Sequence, residues 1–326
     1  MKKAGILLFL AVLIAGAYFR FDYLTEPTYP DESQLFVIES GSSLRAIARQ
    51  LESEGWIKSA RLFEIYVIIN DYQGSLQSGT YQFKEGEDLF EIANRLVSGQ
   101  AASYRVTVPE GFTVNEIIKR LAEYDHLSEE DLIAALEDDR VIRDYFPDSQ
   151  EVEWPQEGFL FPDTYNLSYE MEEVDILNAM INRFENYWLD KFENNKGTYT
   201  INQYVTIASL VEKEAKLKEE KPLIAGVIYN RLDQNMRLQL DATVQYVLEN
   251  RVSQVLYGHL EIDSPYNTYL NKGLPPGPIA SPGDDALNAV LEPEETDYLF
   301  YFARPDGSHV FTRTYEEHLK RLREFR

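Results

Sequence analysis

At 326 residues the chain is long enough for about two domains of ~150 residues each, and its 44% hydrophobic and 13% aromatic content supplies buried cores, which argues against a disordered chain. A formal net charge of -24 argues against a nucleic-acid backbone as ligand, because that contact relies on Lys and Arg clusters that release counterions. The chain has no cysteine, so disulfides, thiolate catalysis and Cys-type metal sites are excluded; its four histidines, His126, His259, His309 and His318, show neither HExxH nor i, i+4 spacing, and neither metal nor cofactor is expected.

The chain opens with Lys2 and Lys3, then a nearly unbroken apolar run over residues 4–19, then Arg20 and Asp22. This reads as a cytoplasmic tip and transmembrane anchor over residues 1–22. The run is short against the ~20 residues of a usual span, but Tyr18, Phe19 and Phe21 can serve as an interfacial belt while the lysines stay in the cytoplasm. A cleaved signal peptide is the competing reading. The anchor is favoured because no Ala-x-Ala-like site precedes Arg20-Phe21-Asp22-Tyr23. The expected location is the plasma (inner) membrane, single-pass, with the bulk of the chain on its outer side. A polar, Pro-containing linker follows over residues 23–34.

One pattern then recurs three times: a β-rich run, a glycine, and a helix whose apolar residues follow that glycine by three, six and ten positions. The helices carry Leu44, Ile47 and Leu51 after Gly41; Leu89, Ile92 and Leu96 after Gly86; Val114, Ile117 and Leu121 after Gly111. This is the core-facing stripe of a helix started by a turn glycine. The first two copies, joined by a helix near residues 61–69, resemble a LysM-like carbohydrate-binding module over residues 35–102. The third leads into an acidic helical stretch at residues 128–139.

Glu157-Gly-Phe-Leu-Phe-Pro-Asp-Thr-Tyr165 crowds aromatics around Gly and Pro, which suits either rings displayed to a sugar face or a small satellite core. An amphipathic helix is expected over 174–192, a turn over 194–197, and then a helix carrying Glu212 and Glu214. By helical neighbours, Glu214 stacks over Val211, Leu210 and Ile207, whereas Glu212 lies over Ser209, Ala208 and Val205 and beneath Lys216. Apolar surroundings raise a carboxyl pKa, so Glu214 is the candidate general acid; the plain alternative is the solvated end of an amphipathic helix. A further helix spans 222–232, its proline at the first turn. Loop-rich segments at 236–246, 264–269 and 272–283 suggest a groove, with Asn267, Thr268 and Tyr269 displayed by a Pro/Gly-stiffened run. A helix over 284–291, a β-like run over 298–303 and a basic helix over 315–326 complete the chain.

Glu157-Gly-Phe-Leu-Phe-Pro-Asp-Thr-Tyr165, Ala208-Ser-Leu-Val-Glu-Lys-Glu214, Asn230-Arg231, Met236-Arg-Leu-Gln239, Asp241 with Thr243-Val244, Tyr266-Asn-Thr-Tyr269 and Gly273-Leu-Pro-Pro-Gly-Pro-Ile279 together resemble the YceG-like (MltG) endolytic murein transglycosylases. The resemblance implies an α+β protein: an N-terminal transmembrane helix, a LysM-like β-α module, and a catalytic domain over 103–326 with a loop-rich substrate groove. It further implies cleavage of the MurNAc-β-1,4-GlcNAc bond inside nascent glycan strands with 1,6-anhydroMurNAc ends, terminating strand elongation near peptidoglycan synthases. The family's essential glutamate matches Glu214. Expected substrate contacts are Glu157, Phe159, Phe161, Asp163, Tyr165, Glu212, Arg231, Gln239, Asp241, Tyr246, Asn267, Thr268 and Tyr269. The rival readings are a water-using muramidase and a membrane-tethered glycan-binding scaffold.

Overall fold

The computed structural model describes residues 2–28, 34–84, 86–147, 149–195, 197–248, 252 and 255–324; most of the linker's proline-containing segment (29–33) and the last two residues of the expected basic helix lie outside these. It is an α+β molecule with three two-stranded sheets among the described residues, and it divides into two compact units, 1–104 with 166–170, and 105–165 with 171–326.

The first unit begins with helix α1, Lys2–Thr25, which extends past residue 22. Its described side chains stand largely in solvent, Ile14 at 68% and Phe19 at 70%. Among the described residues no helix is long and apolar enough to cross a membrane. Strand β1 (Phe36–Ile38), helices α2 (Leu44–Ser53) and α3 (Ala60–Ile69), and strand β2 (Gly79–Tyr81) form a β-α-α-β unit whose strands pair antiparallel, Phe36 opposite Tyr81. Helix α4 (Leu89–Ser98) follows, started by an Asp88/Glu91 capping box that satisfies its first free N–H groups. Gly41 and Gly86 both sit at φ 83°, and the stripes behind them point inward: Ile47, Leu51, Leu89, Ile92 and Leu96 join Phe36, Phe63, Tyr81 and Phe83 in one core.

In the second unit the third copy keeps the same construction. Gly111 lies at φ 75°, Thr113 and Glu116 form a capping box, and helix α5 (Val114–Leu121) buries Val114, Ile117 and Leu121 completely. Helix α6 (Glu129–Leu136) follows it; strand β3 (Ser103–Thr107), which precedes it, and its partner strand β4 (Thr164–Ser168) each have residues assigned to both units. The helix expected over 174–192 is helix α7 (Glu173–Phe184), a π turn at Glu185–Leu189 and helix α8 (Asp190–Glu193) in direct succession.

Helix α9 (Ile201–Glu214) is the structural centre of this unit. Every residue from Tyr204 to Val211 is buried, so no solvated face remains over that stretch, and the helix packs against α10 (Lys221–Asp233) and α12 (Asp284–Leu291). The short helix α11 (Asp241–Tyr246) also touches it. A hairpin of β5 (Phe300–Ala303) and β6 (His309–Thr312), with helix α13 (Tyr315–Glu324) against it, closes the chain.

Candidate active site

Glu214 is the last helical residue of α9, since Ala215 leaves the helix at φ -80°, ψ 120°. The negative end of the helix dipole lies there, which disfavours a carboxylate. The side chain is only partly exposed, and the Tyr301 hydroxyl donates to Oε2 at 3.1 Å. Burial is the main cause of a raised pKa; the Tyr301 bond opposes it, the Asp241 charge adds to it, and His309 and the Ala242 N–H oppose it. The net direction is toward an acid that keeps its proton, as the helical-neighbour argument expects.

The surroundings of Glu214 are built by α10 and the chain after it. Arg231 is buried, and its guanidinium donates to the carbonyls of Leu238 and, at 2.6 Å, Leu299, tying the turn before α11 to the entry of β5. Gln239 takes a left-handed backbone, φ 51°, its N–H bonded to the Thr268 carbonyl and its side chain exposed. Asp241 is exposed and accepts from the Tyr269 hydroxyl at 2.5 Å. Three of these residues couple to Glu214: the Asp241 charge raises its pKa, and the charge of Glu214 bears on Arg231 and Tyr269.

Several of the expected substrate contacts are buried or engaged within the fold. Glu212 accepts from Lys221 Nζ at 3.0 and 3.1 Å and from the Gly283 N–H at 3.1 Å, an ion pair with side chains 9% and 7% exposed that ties α9, α10 and α12 together. Both of its carboxyl oxygens are thereby engaged within the fold. Phe159 and Phe161 are 0% and 2% exposed and Tyr165 is 9% exposed with its hydroxyl on the Phe161 carbonyl, so the satellite-core reading holds and no ring is displayed for stacking. Arg183 pairs with Asp163 at 2.7 Å while its guanidinium lies over the Phe161 ring. Asn267 and Thr268 are also buried, Asn267 holding the carbonyls of Leu260 and Ile262 and Thr268 bonding Thr243 and the Leu240 N–H. These bonds hold the shape of the loop.

Glu157 is the second unusual carboxyl. At 1% exposure it accepts from the Val114 N–H at 3.2 Å, the first residue of α5, and from the Tyr246 hydroxyl at 3.2 Å. Burial pushes its pKa up to about 8, while those bonds pull the other way. Tyr246 in turn lines a groove of about 680 Å³ whose walls include Asn115, Glu116, Lys119, Lys213, Ala242 and Tyr266. Glu214 is not itself in that wall, but its neighbour Lys213 and its backbone donor Ala242 are. The groove is thus large enough for sugar rings and runs up to the acid's immediate neighbours. Among the described residues no three His, Asp or Glu side chains are grouped as metal ligands would be.

The model of the YceG-like family matches residues 36–324. The chain belongs to the YceG-like family. It is 39% identical over 324 residues to the endolytic murein transglycosylase of Bacillus subtilis (strain 168), covering 95% of this chain and 90% of that protein. It is 28% identical over 352 residues to the endolytic murein transglycosylase of Streptococcus pneumoniae serotype 2, covering 98% of this chain but 64% of the pneumococcal protein's length. A crystal structure of a yceG-like protein, lmo1499 from Listeria monocytogenes, superposes with TM-score 0.61 at 32% identity over 88% of this chain and 98% of that one.

Two residues at the heart of this YceG-like site are absent from the sequence reading, Tyr301 and His309. The available signal was the nearly continuous aromatic run at 298–302, which marks a strand without saying what one of its faces meets. Partners distant in sequence leave no local pattern.

Proposed function

We propose that the chain is an endolytic murein transglycosylase, cleaving the MurNAc-β-1,4-GlcNAc bond within peptidoglycan glycan strands to leave 1,6-anhydroMurNAc ends. The carrying observation is a carboxyl kept toward its neutral form at the end of α9, beside a sugar-sized groove, in a chain of this family. Glu214 donates its proton to the leaving glycosidic oxygen as positive charge builds on the anomeric carbon. The carboxylate so formed takes the proton of the sugar's own C6 hydroxyl, whose oxygen closes the anhydro ring. Intramolecular attack carries a large effective molarity, so no second catalytic carboxylate is needed. Glu157, though also an acid of raised pKa, is enclosed and engaged on both oxygens, which disfavours it for the role.

The test is product analysis on uncross-linked glycan with Glu214→Gln, which keeps the shape but cannot shuttle a proton. Anhydro products should disappear while the protein stays folded; wild-type release of anhydro ends by the variant would refute the assignment. Mass spectrometry separates this reaction from hydrolysis, which adds the mass of water.

The finer reading is that residues 1–22 anchor the chain in the plasma membrane, with the rest outside, near peptidoglycan synthases. Its support is the apolar run over residues 4–19 behind Lys2 and Lys3, and the exposed apolar side chains of α1. Residues 35–102 are read as a LysM-like glycan-binding module, supported by the β-α-α-β order and the antiparallel pairing of β1 with β2. Residues 103–326 are then the catalytic domain.

A further inference from the structure

The β5–β6 hairpin carries chemistry that no motif of the chain announces. Tyr301 lies opposite Phe311 and Ala303 opposite His309, so Tyr301 and His309 are diagonal neighbours on one face of the hairpin. From that face the Tyr301 hydroxyl donates to Glu214 Oε2 at 3.1 Å. The His309 ring stands edge-on against the Tyr301 ring, centroids 5.4 Å apart at 89°. Glu220, in the connector between α9 and α10, meets the His309 N–H at 2.9 Å and its Nδ1 at 2.7 Å. Both ends of that connector are thereby stitched to the hairpin, Glu214 to β5 and Glu220 to β6.

We propose that Tyr301 is a positioning residue for Glu214, itself held in place by His309 and Glu220, so that the C-terminal hairpin decides which carboxyl oxygen carries the transferable proton. The proposal rests on the reading of Glu214 as the acid. Burial and the nearby Glu214 carboxyl push the Tyr301 phenol well above its ordinary range, so it stays a neutral donor throughout the working pH range. Because Oε2 accepts from the phenol, the acid's own proton is assigned to Oε1. The terminal torsion of a glutamate is broad, and without the phenol the carboxyl loses one of the bonds that fix its orientation. After proton transfer to the leaving oxygen, the same bond steadies the carboxylate until Oε1 takes the proton of the C6 hydroxyl. The other groups bearing on this carboxyl are Asp241 at the start of α11, which opposes its ionisation, and the Ala242 N–H and His309, which favour it. Arg231 of α10 and Tyr269 of the following loop couple to the same charge.

The experiment uses the full-length chain in detergent on uncross-linked glycan strands, comparing wild type with Tyr301→Phe, His309→Asn and the double variant. Tyr301→Phe should lower kcat by about tenfold or more, as for loss of a hydrogen bond to a charged group, with KM held within about twofold. It should also move the alkaline limb of the kcat profile up by about one pH unit, since a bond to the charged form has been removed. His309→Asn should give a smaller change in the same directions, and the double variant should be no worse than Tyr301→Phe, the non-additivity of residues acting through one another. A Tyr301→Phe enzyme with wild-type kcat and an unmoved limb overturns the proposal, as does a loss expressed only in KM. Should Tyr301→Phe fail to fold in a thermal scan, His309→Asn and Glu220→Gln carry the test, and an unmoved limb in both overturns it. Retained anhydro products in Glu214→Gln would instead sink the acid assignment, leaving the two failures distinguishable.

Discussion

Glu157 and Glu214 show how one fold pushes two carboxyls toward their neutral form. Glu157 caps α5 from inside the core and has its folded pKa raised from 4.5 to about 8. A raised folded pKa means stability that is complete below the unfolded value and lost as pH rises through the folded one. The window is therefore about pH 4.5 to 8, across which unfolding free energy should fall by on the order of a few kcal/mol from this group. Glu157→Gln should flatten that slope, read by denaturant titration at several pH values. At Lys221 the charge logic reverses: Lys221→Met strands the Glu212 carboxylate in a nearly closed site and should destabilise by about 3–5 kcal/mol, measurable in the same titration. Glu212→Gln, which keeps an acceptor for the Gly283 N–H, should cost less and reduce glycan cleavage only partially. The apolar surroundings of Glu214 were legible, since Ile207, Leu210 and Val211 are fully buried as read. The reasoning about Glu212 was not, since Val205, Ala208 and Ser209 are equally buried; what separates the two acids is a lysine from the next helix, which neighbour-counting along one helix does not see.

Helices were the most readable elements. The glycine-led stripes face inward in all three copies, and α3, α10 and α12 fall within about a residue of their expected bounds. Hydrophobic period and caps act locally, so a single sequence carries them. The aromatic loop after Glu157 resisted reading because exposure is decided by what packs over it. Gly158 there lies at φ 85°, and a Cβ on it would stand 2.6 Å from the Pro278 side chain and 2.9 Å from Val205 of α9. Gly158→Ala should thus combine backbone strain with overpacking, costing about 2–4 kcal/mol, and should appear as a lowered Tm with residual activity falling in step with folded fraction. Strand β6 escaped notice because four residues behind an Asp-Gly turn give too short an alternation to count.

For the molecule as a whole, the apolar amino-terminal helix leads to one expectation. If α1 anchors the chain, removing residues 2–25 should transfer the protein from the membrane pellet to the soluble fraction after ultracentrifugation while leaving cleavage of soluble glycan intact; an unchanged distribution would refute the anchor. The division into two compact units is compatible with that retention, because the groove and Glu214 both lie within the second.

The bond between Tyr301 and Glu214 joins residues 87 positions apart, the later one in the penultimate strand. The motifs that carry the family resemblance all end by Ile279, upstream of the phenol. A chain cut between the two would keep every one of those motifs yet lack the hairpin that meets Glu214 and Glu220.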